Sequence, residues 1–504
     1  MLQQDLSELL ACRLLLVRPG AGEQAYVFRH ALVREAAYDS MVRATRQRVH
    51  RCIATALRTQ LPALGEQQPE LLAQHLEAGG ELAEASEQWY CAGDRAFRRA
   101  ANAEAKAHLE RALTVLAGLP ETPDRTRREV EALTLLGTVY HYTSGHAHPR
   151  AREVFARART LSERHDGEIS LKIVTHLSGA YIVEGNRDAM DALAPRCERL
   201  ATSSDPVACL TGLGPLAIDA FWRGHHRRAA ELFDRAVPVY RTDGFRAFAE
   251  MYGWDGGVFV PLYAAWNGAV MGEAEARTDA LLAAAAASFD PQAPALVRAF
   301  AMACSLARRD MAAARAYAEE AIAISTEQRF YGVLALALCG HGLTLVTAGE
   351  HADGLAEIQR AIAGLRAAGA KTPLGYYLTY LAGAYLLAGD VSEGLAATAE
   401  GLKRCQRELA RVHEPELLRL EGRLLLLRGD EQSAASRLRD ALDLARERDA
   451  RAWELRAAVS LGQFLRDRGR LAEMDAVVRP TYERCSENDA FADRREASAL
   501  LSRS

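Results

Sequence analysis

Apolar residues recur through most of this chain at i, i+3, i+4 and i+7, the spacing that lines one face of an α-helix. In one segment Leu374, Leu378, Leu381 and Tyr385 share a face. In the next, Val391, Leu395, Thr398 and Leu402 do the same. Between them lies the sequence LLAGDVSEGL, an apolar helical end, then glycine and aspartate, then a new amphipathic stretch. Glycine ends a helix cheaply because it tolerates left-handed backbone angles, and a charged residue starts the next one. The pattern predicts a helix-turn-helix pair. Neither helix can bury its stripe alone, so neighbouring pairs must stack.

The pair repeats. Gly349, Gly389, Gly429 and Gly469 are spaced by 40 residues each time, in matching flanks. Upstream, Gly145, Gly185 and Gly224 are 40 and 39 apart, and Gly272 and the Arg309–Asp310 turn follow after an irregular 48-residue step. Small residues fall where paired helices must approach closely. Gly342, Ala382, Gly422 and Gly462 stand seven positions before the turn. Gly354, Gly394 and Ala434 stand five after it, with Met474 as the exception.

This register resembles the tetratricopeptide family over residues 80–485. That family's unit is about 34 residues, so the 40-residue units here imply longer helices or loops. The resemblance implies an all-α superhelix of helix pairs whose concave face binds a protein or peptide segment or a small inducer.

Composition agrees with a helical globular chain. Of 504 residues 49% are apolar and 25% charged, and alanine, the best helix former, is abundant. Lys+Arg is 62 against 66 Asp+Glu, a formal net charge of −4, so no strong global field favours nucleic acid or an anionic membrane. No apolar run approaches the ~20 residues of a membrane span. The opening MLQQDLSELL lacks the basic and greasy regions of a secretion signal. Nine cysteines with no Cys-x-x-Cys pair favour a reducing cytoplasm, with thiols buried in helix interfaces.

The first sixty residues differ. Leu14–Val17 and Ala25–Phe28 are short apolar runs joined by the turn-rich RPGAGEQ, which predicts a β-hairpin. From His30 the helical period takes over, with Leu32, Val33, Ala36, Ala37 and Met41. The hairpin and the phrase FRHALVRE at 28–35 resemble the end of the winged helix in STAND-class signalling ATPases, particularly large bacterial regulators carrying an adenylate/guanylate cyclase domain. TRQRVHRCIATAL, NAEAKAHLERAL, YGWDGGV at 252–258, HEPELLRLEGRLLL and ARAWELRAAVSLGQFLRDRGR extend that resemblance over almost the whole chain. The C-terminal YERCSENDAFADRREASALL departs from it.

The resemblance implies that the chain is the sensor half of such a regulator, with an ATPase and cyclase domain as partners. ATP and Mg are then expected for full-length relatives alone. The chain holds no Gly-x-x-x-x-Gly-Lys-Ser/Thr phosphate cradle, so no cofactor and no enzymatic activity are expected of it. Two alternatives stay open: a free-standing tetratricopeptide adaptor, or part of a transcription regulator with a similar array. The expected organisation is a partial winged helix and connecting helix at 1–60, first helical repeats at 61–165, the array at 166–485 and a cap or tail at 486–504.

Candidate residues follow from these readings. By the resemblance, His30 and its neighbour Arg29 sense nucleotide phosphate if an ATPase domain is present; otherwise His30 simply packs where the hairpin meets the helix. Arg43, Arg46, Arg48 and Arg51 give residues 1–60 nine basic against five acidic groups, a solvated helix face or domain contact. Trp222, Tyr252, Trp254, Asp255 and Trp266 lie near the irregular step and are candidates for a ligand or peptide pocket, with aromatic packing as the plainer alternative. His225–His226 lacks chelating geometry, since adjacent helical residues face apart, and no metal site is expected.

Overall fold

The computed structural model describes residues 2–18, 25–99, 101–144, 148–165, 169–241, 245–252, 255–288, 290–328, 330–367, 369–484 and 492–502. The chain divides into two compact units, Met1–Val139 and Tyr140–Ser504.

In the first unit, α1 (Leu2–Ala11) leads into the expected hairpin. Strand β1 (Leu15–Arg18) pairs antiparallel with β2 (Ala25–Phe28), Leu15 opposite Phe28 and Arg18 opposite Ala25. Helices α2 (Ala31–Ser40), α3 (Arg43–Thr59), α4 (Pro62–Gln67), α5 (Pro69–Gly79), α6 (Leu82–Arg98), α7 (Asn102–Ala117) and α8 (Pro123–Ser144) follow, and the division falls inside the last. The core of this unit gathers Ala54 and Leu57 of α3 with Leu72, Leu76, Trp89, Ala112 and Val115. The apolar face of α2 does not join it. No α2 residue is buried, and Leu32 is 78% exposed.

The second unit opens with α9 (Pro149–His165) and then stacks helix pairs. They are α10 (Leu171–Glu184) with α11 (Arg187–Leu200), and α12 (Pro206–Trp222) with α13 (His226–Val239). The irregular step holds α14 (Phe245–Tyr252) and a 3₁₀ turn at Gly256–Val258. Next come α15 (Phe259–Val270) with α16 (Glu275–Ala286), α17 (Ala293–Arg308) with α18 (Met311–Gln328), and α19 (Tyr331–Thr347) with α20 (His351–Ala367). Then follow α21 (Thr372–Ala388) with α22 (Val391–Arg407), α23 (Glu414–Arg428) with α24 (Glu431–Glu447), and α25 (Arg451–Arg466) with α26 (Leu471–Glu483). A last helix, α27 (Ala492–Leu501), packs on α25 and α26. The expected all-α repeat architecture with a small N-terminal hairpin is the one observed.

The two helices of a pair are buried differently. Second helices carry one seam: in α22 it is Gly394, Ala397, Thr398, Gly401 and Cys405, so small residues form its centre and Leu395 and Leu402 its edges. First helices are buried nearly all round. In α25 every residue from Ala452 to Gly462 is buried. A helix apolar on all faces has neighbours on all faces. The single stripe expected for these helices is therefore a correction.

The small-residue register has a direct cause. A Cβ on Gly342 would stand 2.5 Å from the Gly354 carbonyl oxygen, and one on Gly354 would stand 2.3 Å from that of Gly342. The turn positions take left-handed angles, with φ of 82° at Gly389 and 86° at Gly429. Arg309 occupies the same turn position with φ 60°.

Within this unit the stack coils back on itself. The last carbonyls of a helix have no intrahelical partner, and here later loops supply them. Lys371 N–H donates to the Val183 carbonyl at 2.9 Å, and the Thr372 hydroxyl, 190 positions on, donates to that of Ile182. Arg411 and Val412 N–H donate to the Trp222 carbonyl at 2.7 and 3.2 Å. Arg456 donates to the Ala307 carbonyl at 2.8 Å, placing a cation at the end of α17. A Cβ on Gly185, Gly224 or Gly272 would meet Glu408, Arg448 or Arg451 at 3.0–3.3 Å, whereas Gly349, Gly389, Gly429 and Gly469 have nothing within 4 Å.

Candidate functional site

The coil's interior is filled by aromatic rings along one stretch and opens into a cavity along the next. Phe221, Trp222, Tyr263, Trp266 and Phe300 pack in edge-to-face and tilted pairs with centroids 4.9–6.1 Å apart. Trp266 then meets Tyr376 at 4.8 Å and His413 at 6.0 Å, and His413 meets Trp453 at 5.4 Å. Beyond these rings lies a cavity of about 250 Å³ lined by α15, α17, α18, α19, α21, α23, α25 and α27. Its apolar wall includes Leu306, Leu343, Leu386, Leu387 and Val459.

Its polar wall is a network of ions. Glu416 grips Arg419 through both oxygens at 2.8 Å, and Arg419 also donates to Ser460 at 3.1 Å. Arg456 donates to Asp493 at 3.0 Å, lies 3.5 Å from Glu416 and rests 4.8 Å over the Trp453 ring. Arg309 reaches Asp493 and Glu496, each at 2.8 Å. Burial pushes the Glu416 carboxyl up, but the Arg419 and Arg456 guanidiniums outweigh it and hold the group at about 2. Three arginines are thereby balanced by three carboxylates.

Three further groups stand in the wall. Neither ring nitrogen of His413 and not the Trp453 indole nitrogen has a hydrogen-bond partner among the described residues, although both side chains are buried. Burial drives the His413 pKa down to about 3, so the ring is neutral at neutral pH. Arg423, one helical turn beyond Arg419, lines the cavity as an exposed residue and forms no hydrogen bond or ion pair among the described residues. Desolvation, and the charges of Arg419 and Arg309, lower its pKa.

The residues singled out from the sequence fall in several places. Trp266 lines the cavity. Trp222 is 3% exposed and packs in the aromatic stack. Asp255 is fully buried, accepts from the Tyr240 hydroxyl at 2.8 Å and the Ser288 hydroxyl at 2.7 Å, and closes the irregular step. Burial raises its pKa. Tyr252 ends α14, with its side chain outside the described residues, and Trp254 lies outside them altogether. His30 caps α2 without a side-chain hydrogen bond, Arg29 N–H pairs with the Leu14 carbonyl, and both side chains are exposed. His226 donates through Nδ1–H to the Asn267 Oδ1 at 2.8 Å, a packing role. The thiols divide differently from the expectation: Cys12, Cys52 and Cys91 are exposed, and five others are buried.

Sequence reasoning passed over His413, Glu416, Arg419, Arg423 and Trp453. A signal was present. Glu416, Arg419 and Arg423 fall at i, i+3 and i+7 among leucines, placing charges on one face of an otherwise buried helix.

No family model matches this chain. An uncharacterized protein of Rhizobium meliloti (strain 1021) is 32% identical over 149 residues, 28% of this chain. The matched stretch spans 14% of that relative's length. Among solved structures, the APC/C hetero-tetramer Cut9–Hcn1 aligns over 93% of this chain and 96% of its own, at 14% identity and TM-score 0.49. A Rap protein complexed with competence and sporulation factor aligns over 84% of this chain and 100% of its own, at 12% identity and TM-score 0.39. Aspartyl phosphate phosphatase F from Bacillus subtilis covers 82% of this chain and 95% of its own, at 10% identity and TM-score 0.31. These likenesses are low, and the fold rests on the helices themselves. No helix among the described residues is long and apolar enough to cross a membrane.

Proposed function

We propose that this chain is a non-catalytic, ligand-binding helical-repeat scaffold, the sensor half of a STAND-type ATPase–cyclase regulator, and that its ligand is a small molecule held in the cavity. The observation that carries this is the pair of buried polar side chains, His413 and Trp453, aimed into the cavity without partners. A buried polar group left unpaired costs about 1–3 kcal/mol, which a bound ligand recovers. The cavity suits a small inducer more than a peptide segment: at ~30 Å³ per water in the liquid, 250 Å³ is the room of a small organic molecule.

The position of the cavity supplies a mechanism. Its wall combines α15 and α17 with α23, α25 and α27, the elements that meet when the coil closes. A ligand touching both sides favours the closed coil by its differential affinity for that state. The winged-helix reading is supported by the apolar residues that the first unit exposes on its hairpin and α2, namely Leu16, Val17, Tyr26, Val27, Phe28 and Leu32. Such a patch marks an interaction face, and in this reading an ATPase-type domain covers it. The relative's far greater length is in keeping with a multidomain regulator.

Thermal unfolding of the full chain against a metabolite library tests the proposal. A ligand at a hundred times its Kd stabilises by about 2.7 kcal/mol. The expected hits lose that effect in Trp453→Phe. Hits that all persist in Trp453→Phe and His413→Phe place recognition elsewhere and defeat the cavity reading.

A further inference from the structure

Resting on the cavity reading above, we infer that the ligand is a small amphiphilic anion, a carboxylate or phosphate on an apolar or aromatic body, with Arg423 as its counter-ion. The unused groups of the wall are chiefly donors. Trp453 Nε1–H can only donate, neutral His413 has one N–H, and a guanidinium has five donors and no acceptor. An anionic oxygen head is an acceptor and complements the guanidinium, and a further acceptor on the ligand complements Trp453 and His413. The charge balance points the same way. Arg309, Arg419 and Arg456 are matched by Glu416, Asp493 and Glu496, and Arg423 is a cation left over in the wall. The remainder of the wall includes Leu343, Leu386, Val459 and Trp266, which are apolar and suit a ring or branched chain.

The network of three pairs also explains selectivity for a further anion. The neighbouring arginines are held by their own carboxylates at 2.8–3.0 Å, so they have little to gain by turning to a ligand. Arg423 forgoes no partner when it turns.

Calorimetric titration of the full chain with phenylacetate, phenyl phosphate and the neutral isostere phenylacetamide is the test. Phenylacetate or phenyl phosphate is expected to bind at least tenfold tighter than phenylacetamide, and whichever binds tighter names the head group. Arg423→Gln is expected to bring the charged and neutral probes to within about twofold, while Arg423→Lys keeps part of the difference. Arg428→Gln, on the same helix but paired with Asp430 on the exposed side, is expected to behave as wild type. Equal binding of charged and neutral probes by the wild type overturns the anion inference and leaves the cavity reading standing. A preference for the charged probe that survives Arg423→Gln overturns the role of Arg423. If no probe binds, the anion inference falls, and the library screen against Trp453→Phe and His413→Phe decides the cavity reading.

Discussion

The Trp222 carbonyl accepts hydrogen bonds from the N–H groups of both Arg411 and Val412, at 2.7 and 3.2 Å. The indole of Trp222 was the feature visible in the sequence, yet its backbone oxygen makes the connection that closes the coil. The end of α12 thus becomes an anchor for a loop that enters α23.

The crowding beside Trp222 can be tested with glycine. Gly224 has φ 75° and a Cβ there would meet Arg448 at 3.1 Å, whereas Gly429 has φ 86° and open space. Gly429→Ala is expected to cost about 1 kcal/mol, from left-handed strain alone. Gly224→Ala is expected to cost about 2–3 kcal/mol, because strain and contact act together. Chemical denaturation measures both, and equal losses would mean that the closing contact is loose.

The close approach of α19 and α20 makes a second contrast. Gly342→Ala drives a methyl against the Gly354 carbonyl, and about 1–3 kcal/mol of overpacking is expected. Gly364 sits inside α20 with nothing within 4 Å of a Cβ. Gly364→Ala is expected to stabilise by about 1 kcal/mol, the helix propensity difference. Melting curves of the two variants should move in opposite directions.

Asp493 accepts from both Arg309 and Arg456 and is 1% exposed. Asp493→Asn leaves two guanidiniums facing a neutral amide in a buried place. A loss of about 3 kcal/mol is expected. Glu431→Gln, which breaks an exposed pair with Arg468, should leave urea midpoints nearly unchanged.

His413 sets a pH dependence. Its pKa is near 3 in the folded chain, against an ordinary value of 6.5. Above pH 6.5 the ring is neutral in both states and costs nothing. As pH falls below 6.5 the unfolded chain binds a proton that the folded chain refuses, and stability is lost at about 1.4 kcal/mol per pH unit. His413→Phe removes this component. Between pH 7.5 and 5 the variant should lose about 2 kcal/mol less than wild type. Parallel losses would show that the ring takes up its proton while folded.

The local architecture was legible because local rules set it. The hairpin followed from two apolar runs around a turn sequence, and the turns at Gly389 and Gly429 followed from glycine before an acidic residue. Gly342 and Gly354 marked where two backbones touch. The return of the coil was not legible, since contacts such as Ile182 with Thr372 depend on the pitch accumulated over several pairs and not on any local period. That is also why first helices such as α25, read as one-sided, are buried on every side. Leu32, by contrast, follows the helical period faithfully and still stands in solvent, because periodicity identifies a face and not its partner. Trp222 and Trp266 were recognised as unusual, but which of them meets a cavity depended on the far end of the array.

A stack whose members touch only their neighbours behaves as a one-dimensional chain, in which pieces melt and refold separately and single units can be gained or lost. The bond from Arg456 to the Ala307 carbonyl takes this array out of that class. Loop closure over such separations must precede the reward. Folding is therefore expected to be slower and melting more nearly all-or-none than in a straight stack of the same pairs. Loss of α25 to α27 would strip the cap from α17 far upstream. The smallest segment that such an architecture can add or discard without leaving an open end is a whole revolution of the coil, not a single pair.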